Sequence, residues 1–141
     1  MSKPNILFLA DTTHQAGAVI DHIHAVTASD AFHWHVLNPL YFKTIEKLDF
    51  GMFDAIGVHF SIKLHGSYYL SSKLKKKIRE YPGPKFIFLQ DEYQKVNQTE
   101  ELLYYLRCDC LFTLVRPELW DKAYPDPRLA QLKKIHVLTG Y

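Results

Sequence analysis

The sequence predicts an α/β protein with a three-layer, Rossmann-like (doubly wound) fold, built on a mostly parallel sheet of about six strands. Two observations predict this class. Short apolar runs alternate with helical patterns along the whole chain, which favours a parallel sheet with crossover helices on both faces. Several of the runs are continuously apolar, as in strands that are covered on both sides. The 141 residues fit a single domain, residues 1–141.

Six segments are predicted to be strands because each is a short run rich in apolar residues. They are residues 5–10, 32–38, 53–60, 85–90, 109–115 and 134–139. The chain stops at LTGY, directly after the last of them, which we interpret as the edge of a domain within a longer protein.

The segments between the strands carry helical signals. Residues 16–26 place apolar side chains on one helical face, and residues 41–48 predict a short helix. Leu70, Leu74 and Ile78 line one side of a third helix, which YPGP at 81–84 ends. The NQTE segment at 97–100 has the pattern of a capping box for a fourth helix, and Pro117 begins a short one.

Composition excludes several classes of protein. The formal net charge of +2 is too small to indicate nucleic-acid binding, and no apolar run reaches the roughly 18 residues of a membrane span. The N-terminus lacks the pattern of a secretory signal, and Cys108 and Cys110 are interpreted as reduced thiols. We therefore expect a cytoplasmic protein. The basic residues of segment 73–79 are interpreted as a solvated helix face, with peripheral contact to anionic lipid as the alternative.

Polar residues that follow the strands define the expected site, because ligands of open parallel sheets bind outside the carboxyl ends of the strands. The opposite strand ends, such as YPGPK, hold turn residues with little chemistry. From the loops after strands one, three and five we expect substrate contacts from Asp11, Thr13, His65, Thr113 and Arg116.

The first loop, ADTTHQAG, does not match a cofactor loop well. A dinucleotide fingerprint needs three glycines where only Gly17 is present. A flavodoxin-type phosphate loop is matched weakly by Thr12, Thr13 and Gly17. We expect no cofactor. We expect no metal either, since His33 and His35 have ligand spacing but no third ligand nearby.

His14 is the candidate catalytic base. A neutral imidazole at the carboxyl edge accepts a proton from a substrate hydroxyl when a carboxylate orients it. Asp91, after the fourth strand, is the candidate for that carboxylate. The alternative for His14 is a solvated loop histidine.

The segment QDEY, residues 90–93, has two interpretations. As a capped turn, Asp91 caps the segment that follows, Tyr93 packs its ring and Glu92 is solvated. As a binding segment, the amide of Gln90 and the carboxylate of Asp91 bind sugar-like hydroxyls, and Tyr93 stacks on an apolar sugar face. Position alone does not separate the two.

Several segments in combination resemble glycosyltransferase-like proteins of bacterial polysaccharide gene clusters. These are FLQDEY, CDCLFTLVRPELWDKAYPD and KKIHVLTGY, together with FDAIGVHFSIKL and the early DHI. The resemblance spans nearly the whole chain. It points to Gln90, Asp91, Glu92, Tyr93, Thr113, Thr139, Gly140 and Tyr141 as site residues.

The resemblance implies the N-terminal half of a two-domain transferase of the GT-B kind. This half would hold a glycan acceptor, and a second half, missing from this chain, would bind the nucleotide-sugar. We expect no activity from the chain alone. The alternative is a non-catalytic flavodoxin-like or Rossmann-like module that binds a ligand or a partner.

Overall fold

A computed structural model describes residues 2–41, 44–90 and 96–138. In this part of the chain, six parallel strands form one sheet in the order β2-β1-β3-β4-β5-β6. The strands are β1 (Asn5–Leu9), β2 (His33–Leu37), β3 (Ala55–Val58), β4 (Lys85–Phe88), β5 (Cys110–Thr113) and β6 (Lys133–His136). The α/β fold class predicted from the sequence is thereby confirmed. Five predicted strands contain the observed ones, and the sixth, predicted at 134–139, overlaps β6, which begins one residue earlier at Lys133.

Four α-helices connect the strands in the described residues. They are α1 (Gly17–Thr27), α2 (Ser72–Glu80), α3 (Val96–Tyr105) and the short α4 (Trp120–Ala123). The helix expected at 41–48 is a 3-10 turn, Ile45–Lys47, and Phe42 and Lys43 lie outside the described residues. The helix expected from Pro117 begins as a 3-10 turn and continues as α4.

Helices pack on both faces of the sheet, which makes the fold three-layered, and the residues on the two faces differ. On one face, strand side chains such as Leu7 and Ile87 pack with Leu74 of α2 and Leu103 of α3 in the main core. The alternate residues point to the other face, and several of them, such as Phe8, Phe86 and Phe88, are aromatic. There the Phe88 and Phe112 rings stack with centroids 4.4 Å apart. On this aromatic face α1 places the His22 ring 5.6 Å from that of Phe88.

The predicted capping box at residues 97–100 is wrong, because α3 already includes all four residues. Thr99 and Glu100 are buried instead. The Thr99 hydroxyl lies 3.1 Å from His65 Nε2, and Glu100 Oε2 accepts a hydrogen bond from the Asp126 amide at 2.7 Å. Both side chains therefore tie α3 to neighbouring loops.

Gly57, in the middle of β3, makes room for the aromatic layer. A Cβ atom built there would lie 2.2 Å from Cζ of Phe86 and 2.9 Å from Cδ1 of Phe8. We expect Gly57→Ala to displace the Phe86 ring and lower the free energy of unfolding by about 1–3 kcal/mol, measured by urea denaturation.

Gly17→Ala is the matched control for this substitution. A Cβ at Gly17 meets no atom within 4 Å, so we expect a change of at most about 1 kcal/mol, in the stabilising direction. Equal stability of Gly57→Ala and the parent chain would show that Phe86 finds another rotamer without cost.

Candidate functional site

The topological switch point lies between β1 and β3, because the chain leaves β1 toward β2 on one side and returns to β3 on the other. Ligands of open parallel sheets bind at this place, outside the carboxyl ends of the strands. The two loops that flank it are joined directly: the amide of Asp11 donates to Ser61 Oγ at 2.9 Å. The loops after β1 and β3 therefore form one hydrogen-bonded unit.

The Asp11 carboxylate organises this unit from within. Its side chain is buried, with a residue exposure of 6%. Oδ1 accepts hydrogen bonds from the Thr13 amide (3.0 Å), the Thr13 hydroxyl (2.8 Å) and Asn38 Nδ2 (3.1 Å). Oδ2 accepts one from the Tyr69 hydroxyl at 2.7 Å. The carboxylate thus links the loops that follow β1, β2 and β3.

The same hydrogen bonds determine the ionisation states of Asp11 and Tyr69. Burial by itself raises the pKa of Asp11, but the hydrogen bonds from Tyr69, Thr13 and Asn38 together bring this pKa below the ordinary 3.8. Burial, and then the bond to the Asp11 carboxylate, raise the pKa of Tyr69 to about 12. At neutral pH Asp11 is therefore an anion and Tyr69 a neutral hydrogen-bond donor.

A chain of hydrogen bonds runs from the switch point to α1. Nδ1 of His59 accepts from the Ser61 amide at 3.0 Å and lies 2.9 Å from Ser61 Oγ. On the other side of the ring, Nε2 of His59 lies 2.9 Å from Nδ1 of His22 on α1. His59 has no exposed surface, as expected for a core histidine with satisfied hydrogen bonds. Burial, and then the charges of His22 and His14, lower its pKa to about 3, so it is neutral.

His14, the candidate base, is half-buried in the loop between β1 and α1. Its Nδ1 accepts a hydrogen bond from the Ala16 amide at 3.1 Å. A backbone amide always donates, so the neutral ring carries its proton on Nε2. In this arrangement His14 offers a hydrogen-bond donor. To act as a base at Nε2, the ring must release Ala16 and donate from Nδ1 to a carboxylate.

A shallow depression lies on the aromatic side of the carboxyl edge. Its cavity volume is about 10 Å³, room for about one water molecule, and it is otherwise open to solvent. Its polar groups are the His22 imidazole and the Gln90 amide. Its other lining residues are apolar: Phe60, Phe88, Leu89, Leu114, Val137 and Leu138. Gln90, predicted to bind substrate, therefore lines this mostly apolar depression.

The other predicted site residues have separate positions. His65 Nε2 contacts the buried Thr99 hydroxyl of α3. Thr113 is buried, and its hydroxyl accepts from the Val115 amide at 3.0 Å, which shapes the turn after β5. The Arg116 side chain is 67% exposed and its Nε lies 3.2 Å from Glu118 Oε1. Arg116 thus belongs to the outer surface of its loop, apart from the hydrogen bonds around Asp11.

Asp91, Glu92 and Tyr93 lie outside the described residues, as do Thr139, Gly140 and Tyr141. The pairing of His14 with Asp91 and both interpretations of residues 90–93 therefore stay predictions.

The described ranges 2–41, 44–90 and 96–138 contain both cysteines of the chain but no clustered set of metal ligands. No cluster of three or more His, Cys, Asp or Glu side chains with the geometry to hold a metal ion occurs there. Cys108 and Cys110 are free thiols, and burial raises the pKa of Cys108 to about 12. This keeps the Cys108 thiol protonated and unreactive.

The basic face of α2 is largely bound to the protein itself. Lys75 Nζ donates to the Gly66 carbonyl (2.6 Å), Lys77 Nζ to the Glu46 carbonyl (2.9 Å), and Arg79 Nη1 to the Tyr105 carbonyl (2.6 Å). These bonds favour a structural role for segment 73–79, and lipid contact stays a prediction. Among the helices that the structure describes, none has the length and apolar character needed to cross a membrane.

Sequence reasoning missed the partners of Asp11. Asn38 and Tyr69 were not predicted as site residues, although each has a signal: Asn38 is the polar residue that ends the second apolar run, and Tyr69 lies in the long loop after the third.

The fold and this edge define a doubly wound α/β protein with a hydrogen-bonded polar cluster at its switch point. Comparisons of the chain with protein-family models, with curated proteins and with solved structures find no match. The function therefore has to be inferred from the site itself.

Proposed function

We propose that this chain is the acceptor-binding half of a cytoplasmic glycosyltransferase. It would hold a glycan acceptor at the carboxyl edge, and a second domain would supply the nucleotide-sugar for transfer. The observation that carries the proposal is the hydrogen-bonded unit at the switch point, which holds the loops after β1, β2 and β3 in fixed positions. Fixed loops at a switch point are what a binding crevice requires.

The groups around this crevice suit a hydroxyl-rich ligand. Thr12 and Thr13 are exposed, Gln90 provides both a donor and an acceptor, and His14 offers an Nε2–H. The apolar depression beside Gln90 would accept the apolar face of a sugar ring. In a transfer reaction this half would contribute by positioning the acceptor hydroxyl, with His14 and Asp91 proposed to remove its proton.

A specific observation favours a second candidate, a non-catalytic ligand-binding or partner-binding module. The Asp11 carboxylate accepts four internal hydrogen bonds, and His59 is neutral, buried and bonded at both nitrogens. Asp11 and His59, at the centre of the switch point, therefore both have their hydrogen-bonding groups occupied within the fold. Among the described residues of the loop after β1, His14 would have to change its hydrogen bonds to serve as a general base.

Glycan binding tests the proposal directly. The chain is screened against immobilised oligosaccharides, and the best one is titrated while backbone amide NMR signals are recorded. We expect shifts in the loops at 11–16 and 59–66 and at Gln90. Gln90→Leu should weaken binding about tenfold, because about 1.4 kcal/mol of hydrogen bonding is lost.

Gln131→Leu is the matched control, since Gln131 is exposed and precedes β6 at the opposite edge of the sheet. It should leave the affinity unchanged. Asp91→Asn tests the proposed base separately and should reduce transfer by the two-domain enzyme more than acceptor binding. Absence of glycan binding, or shifts confined to the outer faces of α2 and α4, would reject the acceptor site and favour the partner-binding module.

A further inference from the structure

The contact between His22 and His59 joins α1 to the switch point through two imidazole rings. The nitrogen atoms His22 Nδ1 and His59 Nε2 are 2.9 Å apart, so one ring must donate and the other accept. His22 is half-buried on the aromatic face, and His59 is fully buried beneath it.

The position of each proton follows from the backbone. The Ser61 amide donates to His59 Nδ1 at 3.0 Å, so this nitrogen is unprotonated and the neutral ring carries its proton on Nε2. His59 therefore donates to His22 Nδ1, and His22 carries its own proton on Nε2. His59 cannot reverse the direction, because its other nitrogen is held by an amide that only donates.

We propose that this pair is a pH-sensitive latch: protonation of His22 detaches α1 from the switch point. A proton on His22 Nδ1 would place two N–H groups opposite each other across a 2.9 Å gap, and the pair would have to separate. Because Ser61 Oγ also accepts from the Asp11 amide, the separation reaches the loop that begins the crevice. The inference concerns the latch alone and holds whichever ligand the crevice binds.

The surroundings of the pair oppose a positive charge. Among the described residues, two titratable groups act electrostatically on His59. They are its partner His22 and His14, in the loop before α1. The other close neighbours are rings, with Phe60 centred 5.0 Å from His22 and 4.1 Å from His59, and Phe88 at 5.6 Å from His22. No carboxylate of the described residues hydrogen-bonds to either imidazole.

Burial lowers the pKa of both rings below the usual 6.5, and that of His59 furthest, so His22 is the first to protonate as the pH falls. Because the folded-state pKa values are depressed, the unfolded or opened chain binds protons more readily below pH 6.5. The latch is therefore closed at neutral pH and loses stability as the pH falls.

Ring-nitrogen NMR of the chain between neutral pH and about pH 4.5 tests the latch. We expect both rings to be protonated on Nε2 and unprotonated on Nδ1 at neutral pH. As His22 titrates below 6.5, the Ser61 and Asp11 amide signals should move with the same midpoint. Hydrogen exchange in α1, corrected for its intrinsic pH dependence, should rise at least about tenfold.

His22→Gln replaces the imidazole by an amide whose oxygen still accepts from His59 and does not titrate. In this variant the Ser61 and Asp11 amides should lose the transition, and α1 should stay protected at low pH. His24→Gln is the matched control, because His24 is exposed on the same helix, and it should behave as the parent chain. A proton on Nδ1 of His59 at neutral pH, or a His22 titration that leaves the Ser61 and Asp11 amides unmoved, would overturn the proposal.

Discussion

Asp11→Ala is expected to lower the free energy of unfolding by about 4 kcal/mol, a large fraction of the 5–15 kcal/mol that stabilises a typical domain. The substitution removes the acceptor of four hydrogen bonds and leaves donors of Thr13, Asn38 and Tyr69 without it. A buried donor without an acceptor loses its hydration and gains nothing in return. Urea denaturation at pH 7 measures the difference.

Asp11→Asn separates the shape of the side chain from its charge. The amide keeps one oxygen acceptor and places an NH₂ group against donors, so we expect a loss of about 2 kcal/mol. Asp30→Ala, at an exposed turn residue before β2, should change stability by less than about 0.5 kcal/mol. Unchanged stability of Asp11→Ala together with lost ligand binding would instead make the carboxylate a ligand contact, as the sequence predicted.

The stabilisation that the ionised Asp11 carboxylate provides should depend on pH in one direction. The pKa of Asp11 is lower in the fold than the ordinary 3.8, so its contribution is fully present above that pH and is lost as the pH falls through the folded-state value. The stability difference between the parent chain and Asp11→Asn should therefore be constant near neutrality and shrink below pH 3.8. A difference that grows on acidification would contradict the assigned ionisation.

The order of strands and helices could be predicted from the sequence because buried parallel strands leave a strong pattern. ILFL in β1 and FIF in β4 have no polar residue, since both faces of these strands are covered. Element ends were less predictable. NQTE has the composition of a capping box, yet burial of Thr99 and Glu100 against loops far along the chain outweighs that local preference.

The location of the candidate site could also be predicted, but its internal contacts could not. The carboxyl edge follows from strand direction alone, and Asp11, Thr13 and Gln90 were predicted as site residues because they follow strands at this edge. The partners of Asp11 are 27 and 58 residues further along the chain, at Asn38 and Tyr69. Only the path of the chain across the sheet brings such distant groups together, and single-sequence patterns carry no record of that path.

Contacts between distant residues at the amino edge of the sheet could not be predicted from the sequence either. Its YPGPK segment was interpreted as turn residues with little chemistry, yet Lys85 is only 5% exposed. Its Nζ donates to the carbonyls of Arg79 (3.0 Å) and Leu106 (3.1 Å). Arg79 lies in the last turn of α2, and Leu106 directly follows α3. One ammonium group therefore neutralises the negative ends of two helix dipoles.

Lys85→Met should accordingly destabilise the fold by about 2–3 kcal/mol. Methionine retains an unbranched apolar side chain one atom shorter than lysine, but it leaves two helix-end carbonyls without their donor. Burial lowers the pKa of Lys85, which records the cost of keeping the charge inside, and this cost limits the net effect. Urea denaturation measures the stability, and hydrogen exchange should show the last turns of α2 and α3 opening together.

Lys133→Met provides the comparison, because Lys133 also begins a strand at the amino edge but is exposed. Its effect should stay within about 0.5 kcal/mol. If Lys85→Met proved as stable as the parent chain, the cost of desolvating the ammonium would equal the energy of its two hydrogen bonds. The two carbonyls would then have to be satisfied by other donors, and α2 and α3 would not depend on a shared cation for their docking at this edge.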